Sequence, residues 1–150
     1  MDIIRRNTDY AFQLILNLSN RFGKSTVSSK SLAEEENVSY PITCKLVQKF
    51  HSAGLVKSKL GPLGGYYLCQ SPSEISLATI IELIQGPIKL NKCMLGIDVC
   101  PKKDDCPIYS KLYELQEYME HFFNNITLEK LLEIKKTISE IKMGKTNNSN

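Results

Sequence analysis

Apolar side chains recur every three or four positions along much of the chain, a spacing that places them on one face of a helix. The first such stretch covers residues 7–22 and stops at Gly23. Its apolar stripe consists of Tyr10, Ala11, Leu14, Ile15 and Leu18. Two shorter stretches follow, at 32–36 and 40–53, so the first third of the chain is predicted to form three helices.

The second and third predicted helices carry their own start and stop signals. Ser31 followed by Glu34 fits a capping box at the start of the second helix, and Asn37 suits a left-handed turn after it. Ser39 can cap the third helix, which ends at Gly54. The buried side of this helix is predicted to contain Ile42, Leu46 and Phe50. Two helices joined by such a turn form a helix-turn-helix motif, whose second helix enters the major groove of DNA.

After the third helix the pattern indicates strands. Residues 55–59 and 66–69 are two short strand candidates, and the segment between them, 60–65, is rich in glycine and proline. A β-hairpin that follows a helix-turn-helix makes a winged helix. The wing would bring Lys57 and Lys59 beside the same DNA as the third helix.

Three more helices are predicted in the second half of the chain, at 76–85, at 107–125 and from 128 to about 142. The helix at 107–125 has a wide apolar stripe on a chain too small to cover both of its faces. That stripe contains Ile108, Leu112, Leu115, Met119, Phe122 and Phe123. Homodimerisation through this helix is therefore expected. The alternative is that the helix packs only against the N-terminal winged-helix part of its own chain.

The predicted fold is mainly α with a small β-hairpin wing, arranged as a winged helix-turn-helix head and a long dimerisation helix. The head covers residues 1–75 and is completed by helices at 76–86 and 128–142. A cysteine-containing loop at 88–106 precedes the dimerisation helix at 107–126, and a disordered tail is expected at 143–150. A dimer suits a palindromic DNA site, because two recognition helices then read two half-sites.

Composition and charge limit the class of protein and the kind of partner that are expected. The chain has 150 residues, of which 42% are hydrophobic and 23% charged, the balance of a globular protein. No apolar run approaches the ~18 residues that span a bilayer, and the first residues lack a signal-peptide pattern, so a cytoplasmic protein without a membrane partner is expected. Residues 37–73 contain no acid, which favours a polyanionic partner such as DNA. On charge alone, chance clustering remains the alternative.

The third helix and the wing supply the candidate DNA contacts. Those expected to face the major groove are Ser39, Tyr40, Thr43, Lys45, Gln48 and Lys49. Lys57 and Lys59 of the wing are expected to contact phosphates.

The cysteines indicate a second kind of site. The chain has five, an odd number that argues against a disulfide framework. Cys93, Cys100 and Cys106 fall in one polar loop, at spacings that fit neither zinc fingers nor ferredoxins. We expect this loop to wrap an iron–sulfur cluster, with zinc binding or bare thiol chemistry as alternatives, and we do not expect Cys44 or Cys69 to be ligands.

Several of these segments resemble the Rrf-two family of bacterial transcription regulators, which includes the iron–sulfur cluster regulator IscR and the nitric-oxide-sensing repressor NsrR. The resemblance covers roughly residues 1–142. It lies in Asp9-Tyr10-Ala11, Leu32-Ala33, Gly54-Leu55-Val56, the wing 61–66, the cysteine loop and the segment 123–128. It implies a homodimeric winged helix-turn-helix repressor or dual regulator, with a cluster near the dimer interface that tunes its affinity for DNA.

The chain departs from that family at the DNA-binding surface. Leu60 stands where the family's wing often has an arginine that reaches into the minor groove. Pro41, Cys44 and Lys45 stand where the IscR-like subgroup has serine, glutamate and glutamine. The resemblance therefore implies a different base preference from that subgroup.

The chain also departs at the cluster. IscR-like members place a histidine three residues after the last cysteine as fourth ligand, and here that residue is Tyr109. NsrR-like members use an aspartate of the partner subunit's first helix, and Asp9 stands at that position. The resemblance thus implies Cys93, Cys100, Cys106 and Asp9 as ligands of a [4Fe–4S] or [2Fe–2S] cluster, and the Asp9 pattern favours [4Fe–4S]. A surface acid near a helix start is the alternative for Asp9.

Two other functions are open. One is a cluster-free regulator of the same fold, controlled by thiol oxidation or by a protein partner. The other is a small iron–sulfur electron-transfer protein. No Ser/His/Asp set, phosphate loop or paired carboxylate site stands out, so enzymatic activity is not expected.

Overall fold

The computed structural model describes residues 2–96 and 100–146, with only the helical backbone at 145 and 146. Its elements are α1 (Arg6–Asn20), α2 (Ser29–Glu35), α3 (Tyr40–Ser52), β1 (Val56–Lys59), β2 (Gly65–Leu68), α4 (Leu77–Gln85), α5 (Pro107–Asn125) and α6 (Leu128–Thr146). The two strands pair antiparallel, with Val56 opposite Leu68 and Lys59 opposite Gly65. The predicted fold class, mainly helical with one small hairpin, is confirmed. None of the described helices has an apolar stretch long enough to cross a bilayer.

One hydrophobic core holds the head together. It contains Leu14 of α1, Phe50 of α3, Val56 of β1, Ile80 of α4 and Leu128 of α6, all fully buried. Because α1 packs against α3, α4 and the start of α6, residues far apart in the chain share this core. Packing of this apolar surface is the main stabilising contribution to the head.

The hairpin is also attached to the connection between α1 and α2. The backbone N–H of Val27 donates to the carbonyl of Tyr66 over 3.0 Å, and the N–H of Tyr66 donates to the carbonyl of Val27 over 2.8 Å. Gly65 has a φ of 139°, and a Cβ there would lie 2.7 Å from the Val27 backbone. Only glycine fits this crossing, so the wing has a fixed position on the head.

The start of α2 differs from its prediction. The helix begins at Ser29, and its cap is Ser28, whose hydroxyl accepts from the Ser31 N–H over 3.1 Å. The predicted capping box at Ser31 and Glu34 is therefore wrong. Both serines have the same capping chemistry, so the pattern could not distinguish them. The left-handed turn expected at Asn37 is present, with a φ of 52°.

At the other end of the chain, α6 continues beyond the predicted end near Lys142, to Thr146. Residues 143–146 are therefore helical, although they were predicted to belong to a disordered tail, and residues 147–150 lie outside the described part. Gly144 is the weak helix former in this stretch, and a glycine costs a helix only about 1 kcal/mol relative to alanine. That cost is too small to end a helix.

Candidate nucleic-acid interface and cysteine site

Helix α3 presents one buried and one exposed face. The buried residues are Thr43, Leu46, Val47 and Phe50, and the exposed ones include Tyr40, Lys45 and Gln48. Ser39, at the N-cap position, is exposed as well. Four of the predicted major-groove residues thus lie on the surface of this helix, at its start and along one side.

Thr43 does not lie on that surface, and its predicted major-groove contact is wrong. The residue is fully buried, and its hydroxyl oxygen has no hydrogen-bond partner among the described residues. Residues 43, 46, 47 and 50 have the i, i+3, i+4, i+7 spacing of a single helix face. Ile42, predicted to be buried, lies at the edge of that face and is half-buried.

Lys49 has a partner inside the protein. Its ammonium donates to the carbonyl of Ile84 over 3.2 Å, near the C-terminal end of α4. Carbonyls at a helix C-terminus carry partial negative charge, so they suit a lysine. The side chain therefore links α3 to α4, whereas Lys45 of the same helix is exposed.

The wing lies beside the start of α3. Tyr40 hydrogen-bonds to the Cys44 thiol, which raises the pKa of the Tyr40 hydroxyl, and Tyr66 of β2 is a further neighbour. Lys57 and Lys59 of β1 are exposed. The exposed groups of α3 and the two wing lysines thus belong to adjoining elements of the head.

The Cys93 thiol lies within electrostatic reach of the Cys100 and Cys106 thiols, and Cys106 stands at the start of α5. Cys106 occupies the N-cap position of α5, where its sulfur accepts from the Tyr109 N–H over 3.4 Å. Partial burial, followed by the neighbouring Cys100 and Cys106 thiols, raises the pKa of the Cys93 thiol. Residues 97–99, between Cys93 and Cys100, lie outside the described part.

These half-buried thiols provide three ligands of the kind that iron prefers. Within residues 2–96 and 100–146, no three His, Cys, Asp or Glu side chains are already arranged to hold a metal ion. The donor set fits a cluster in its chemistry but needs a fourth ligand. Asp9, in the first turn of α1, is exposed and is accessible to a second copy of the chain.

Tyr109, three residues after the last cysteine, contacts a lysine. The Lys103 ammonium lies 5.0 Å from the centre of the Tyr109 ring. A hydrogen bond to the Tyr109 hydroxyl raises the pKa of Lys103. The positive charge of Lys103 therefore lies over the ring of Tyr109.

Gln116 fixes the beginning of the cysteine loop to α5. Its side chain is buried, and its amide donates to the Ile88 carbonyl over 2.7 Å and accepts from the Leu90 N–H over 3.0 Å. Glu120 accepts from the same amide over 2.7 Å and pairs with Lys89 at 3.0 Å. The sequence analysis did not identify Gln116, although a polar residue within an apolar stripe could have indicated it.

Gln85 fixes the start of α1 in a similar way. Its side-chain carbonyl accepts from the Arg5 N–H over 2.9 Å and from the Thr8 hydroxyl over 2.7 Å. Its amide donates to the Ile3 carbonyl over 2.9 Å. The turn of α1 that carries Asp9 is therefore attached to the end of α4, just before the cysteine loop begins.

Acid is expected to weaken the attachment between Glu120 and Lys89. The Gln116 amide and then the Lys89 ammonium lower the pKa of Glu120. A carboxylate whose pKa is lower in the folded state stabilises the fold above its unfolded pKa, and this contribution is lost as the pH falls through the folded value. The unmodified protein should therefore lose more thermal stability than Glu120→Gln between about pH 5 and pH 3. Glu114→Gln is the matched control on the same helix, and equal losses in all three proteins would contradict the prediction.

The predicted apolar stripe of α5 divides into two rows. Leu112, Met119 and Phe123 are half-buried, and the last two line a cleft against α4. The other row is exposed and consists of Ile108, Leu115 and Phe122 of that stripe together with Tyr118, which the prediction did not include. Its spacing of seven, three and four residues is the heptad spacing of a helix that packs against another helix.

The chain and its fold are similar to those of known proteins. Residues 4–134 match a family model described as "Rrf2: Iron-dependent Transcriptional regulator". The HTH-type transcriptional regulator IscR of Vibrio vulnificus is 31% identical over 123 residues, which are 82% of this chain and 73% of that protein. The structure of CymR, the global cysteine regulator of B. subtilis, is 29% identical with a TM-score of 0.74, over 89% of this chain and 98% of that one. IscR of T. potens is 28% identical with a TM-score of 0.69, over 88% and 87%.

Proposed function

We propose that this chain, which belongs to the Rrf2 family of transcriptional regulators, is a homodimeric repressor whose affinity for a palindromic operator depends on an iron–sulfur cluster. The observation that supports the proposal is that the Cys93 thiol lies within electrostatic reach of Cys100 and of Cys106, which caps the start of α5, although the three thiols are not arranged as a metal site within the described residues. The proposed cluster would then lie next to the helix that we assign to dimerisation. We locate the protein in the cytoplasm, where operator DNA is accessible.

Helix α3 and the wing form the proposed DNA-binding surface. Ser39, Tyr40, Lys45 and Gln48 are exposed on α3, and Lys57 and Lys59 are exposed on β1. A helix-turn-helix uses the N-terminal part of its second helix to reach base edges, whereas lysines of flanking elements contact phosphates. We assign the four α3 residues to the major groove and the two wing lysines to the phosphates.

The exposed row of α5 supports a dimer. Ile108, Leu115, Tyr118 and Phe122 form an apolar strip along the helix, and a strip of this kind typically marks a protein–protein contact. A second copy presents the same row, so that two α5 helices can cover each other about a two-fold axis. The two α3 helices would then be held at a fixed spacing, as a palindromic site requires.

In the proposed dimer, Asp9 of one copy completes the ligand set of the other copy's cysteine loop. When bound, the cluster supplies iron–ligand bonds that oxygen or nitric oxide can attack. Because Gln85 attaches the start of α1 to α4, a change at Asp9 displaces the head as a unit. The spacing of the two α3 helices then changes, and only one spacing fits the operator.

The cluster assignment is tested by the iron and acid-labile sulfide content of protein purified without oxygen. Cys93→Ala, Cys100→Ala and Cys106→Ala should each lose both, because every thiolate ligand is needed. Asp9→Ala should keep a cluster that is lost faster on exposure to air. Cys69→Ala is the control, since its thiol donates to the Gly54 carbonyl instead. Full iron and sulfide in all three loop variants would contradict the assignment.

One observation favours a second candidate function, a cluster-free regulator that senses thiol oxidation. Cys93 and Cys100 lie in one loop, and the Cys100 thiol is near enough to raise the pKa of the Cys93 thiol, so a conformational change of the loop can bring the two sulfurs to bonding distance. Hydrogen peroxide can oxidise the two thiols to a disulfide with release of two water molecules. Protein that contains no iron when purified without oxygen, yet forms this disulfide with peroxide and then changes its DNA affinity, would favour this candidate.

A further inference from the structure

The tip of the wing carries two leucines with almost no contact to the protein. Leu60 is 94% exposed and Leu63 is 88% exposed, more than any other large apolar side chain in the described part. We propose that they form an apolar wedge that enters the DNA minor groove next to the major groove occupied by α3. The proposal rests on the DNA binding of the proposed function and adds a contact that determines specificity.

The backbone of the tip holds both leucines in place. The Thr26 hydroxyl donates to the Leu63 carbonyl over 3.0 Å, and the Gly64 N–H donates to the Gly61 carbonyl over 2.9 Å. Gly61 has a φ of 107°, and a Cβ on Gly64 would collide with the Lys59 carbonyl. A tip that is fixed before binding loses little conformational entropy when it meets a ligand. The exposure of the two leucines is therefore a property of the fold.

The position of the wing identifies DNA as the ligand. Strand β1 begins four residues after α3 ends, and Tyr66 of β2 neighbours Tyr40 at the start of α3. A strand of four residues spans about 13 Å, comparable to the ~12 Å width of the major groove. The tip can thus reach past one phosphate backbone into the adjacent minor groove, while Lys57 and Lys59 lie exposed along β1 beside that backbone.

The chemistry of the tip fits a wedge. Proteins that bind the minor groove insert leucine and similar apolar side chains between base steps, which unstacks the bases and kinks the duplex. Pyrimidine–purine steps such as TA and CA deform most easily. A leucine wedge would therefore select duplexes that carry such a step at the position contacted by the wing. This selection needs no hydrogen bond to any base.

The test uses a 30-base-pair duplex (roughly three helical turns) selected from a random pool by the unmodified protein. The adenine of each flanking TA or CA/TG step is replaced in turn by 2-aminopurine, whose fluorescence rises when a base is unstacked. The unmodified protein should raise the signal at one step in each half-site, and the double variant Leu60→Ser/Leu63→Ser should not. The double variant should also bind on the order of ten-fold more weakly, about 1.4 kcal/mol, with an unchanged salt dependence. Met143→Ser, another exposed apolar residue, is the control and should behave like the unmodified protein.

Two other outcomes would contradict the proposed insertion of the leucines. A fluorescence signal that is equal with the unmodified protein and the double variant, or absent with both, would show that the leucines do not enter the stack. DNA binding through α3 would survive that result. If the unmodified protein selects no duplex at all, the proposed function and the wedge both fail.

Discussion

Leu115→Glu is expected to convert the proposed dimer to a monomer and to weaken binding to a palindromic duplex by a factor on the order of 10²–10⁴, the gain that joining two binding modules usually provides. Leu115 lies in the middle of the exposed row of α5, between Ile108 and Phe122. In a two-fold dimer the new carboxylate would be buried against the partner copy without a counter-charge. The head does not use this side chain in its core, so it should still fold.

Sedimentation velocity at micromolar concentration measures the oligomeric state, and fluorescence anisotropy with the same duplex measures affinity. His121→Glu is the matched control, because His121 is exposed on α5 but lies outside the apolar row. Met119 is less suitable for substitution, since it packs within its own chain against α4. An unmodified protein that sediments as a monomer, or a Leu115→Glu variant that remains a dimer, would contradict dimerisation through α5.

Raising the salt concentration from 50 to 200 mM is expected to weaken DNA binding by a factor on the order of 10³–10⁵, if the dimer neutralises roughly six to ten phosphates. Lys45→Ala should weaken binding by a further factor on the order of 10–100, because it removes one groove contact from each half-site. Lys49→Ala should behave differently. Its ammonium contacts the Ile84 carbonyl, so the substitution should lower thermal stability more than DNA affinity.

Anisotropy titrations at several salt concentrations, together with thermal unfolding, separate these effects. Lys135→Ala, which removes an exposed lysine from α6, is the control and should leave both quantities unchanged. Binding that does not depend on salt would contradict the proposed surface. So would a Lys45→Ala variant with unmodified affinity.

The helices were predictable where the chain carries local signals. Pro107 and the pair Asn124-Asn125 mark the ends of α5, which runs from Pro107 to Asn125 as predicted. The predictions were wrong where the local sequence supported two alternatives equally well. Ser28 and Ser31 cap equally well, and Thr43 is polar but stands in register with Leu46 and Val47 on the buried face of α3. Only the packing of each helix against the rest of the head decides which serine caps α2 and which face of α3 is buried.

The candidate site shows the same division. Three cysteines in one polar loop are visible in the sequence, and in the structure the Cys93 thiol lies within electrostatic reach of the other two, without a formed metal site among the described residues. The contacts that fix this loop join residues 26 to 28 positions apart through Gln116, and those of Gln85 reach 77 to 82 positions back to the start of the chain. Glutamine has no strong local preference that would reveal a distant partner. Lys49 was likewise predicted to face DNA, because its acceptor, the Ile84 carbonyl, belongs to α4 and lies 35 positions further along the chain.

In the proposed mechanism, the state of the cysteine loop sets the affinity for DNA. The most direct test is one anisotropy titration of the selected duplex, under anaerobic conditions, with the iron-loaded protein, with the same protein after its iron has been removed by a chelator, and with Cys106→Ala. The stripped protein and Cys106→Ala should share one affinity, the iron-loaded protein should have another, and all three should remain dimers. Identical affinities for the loaded and stripped protein would contradict the mechanism.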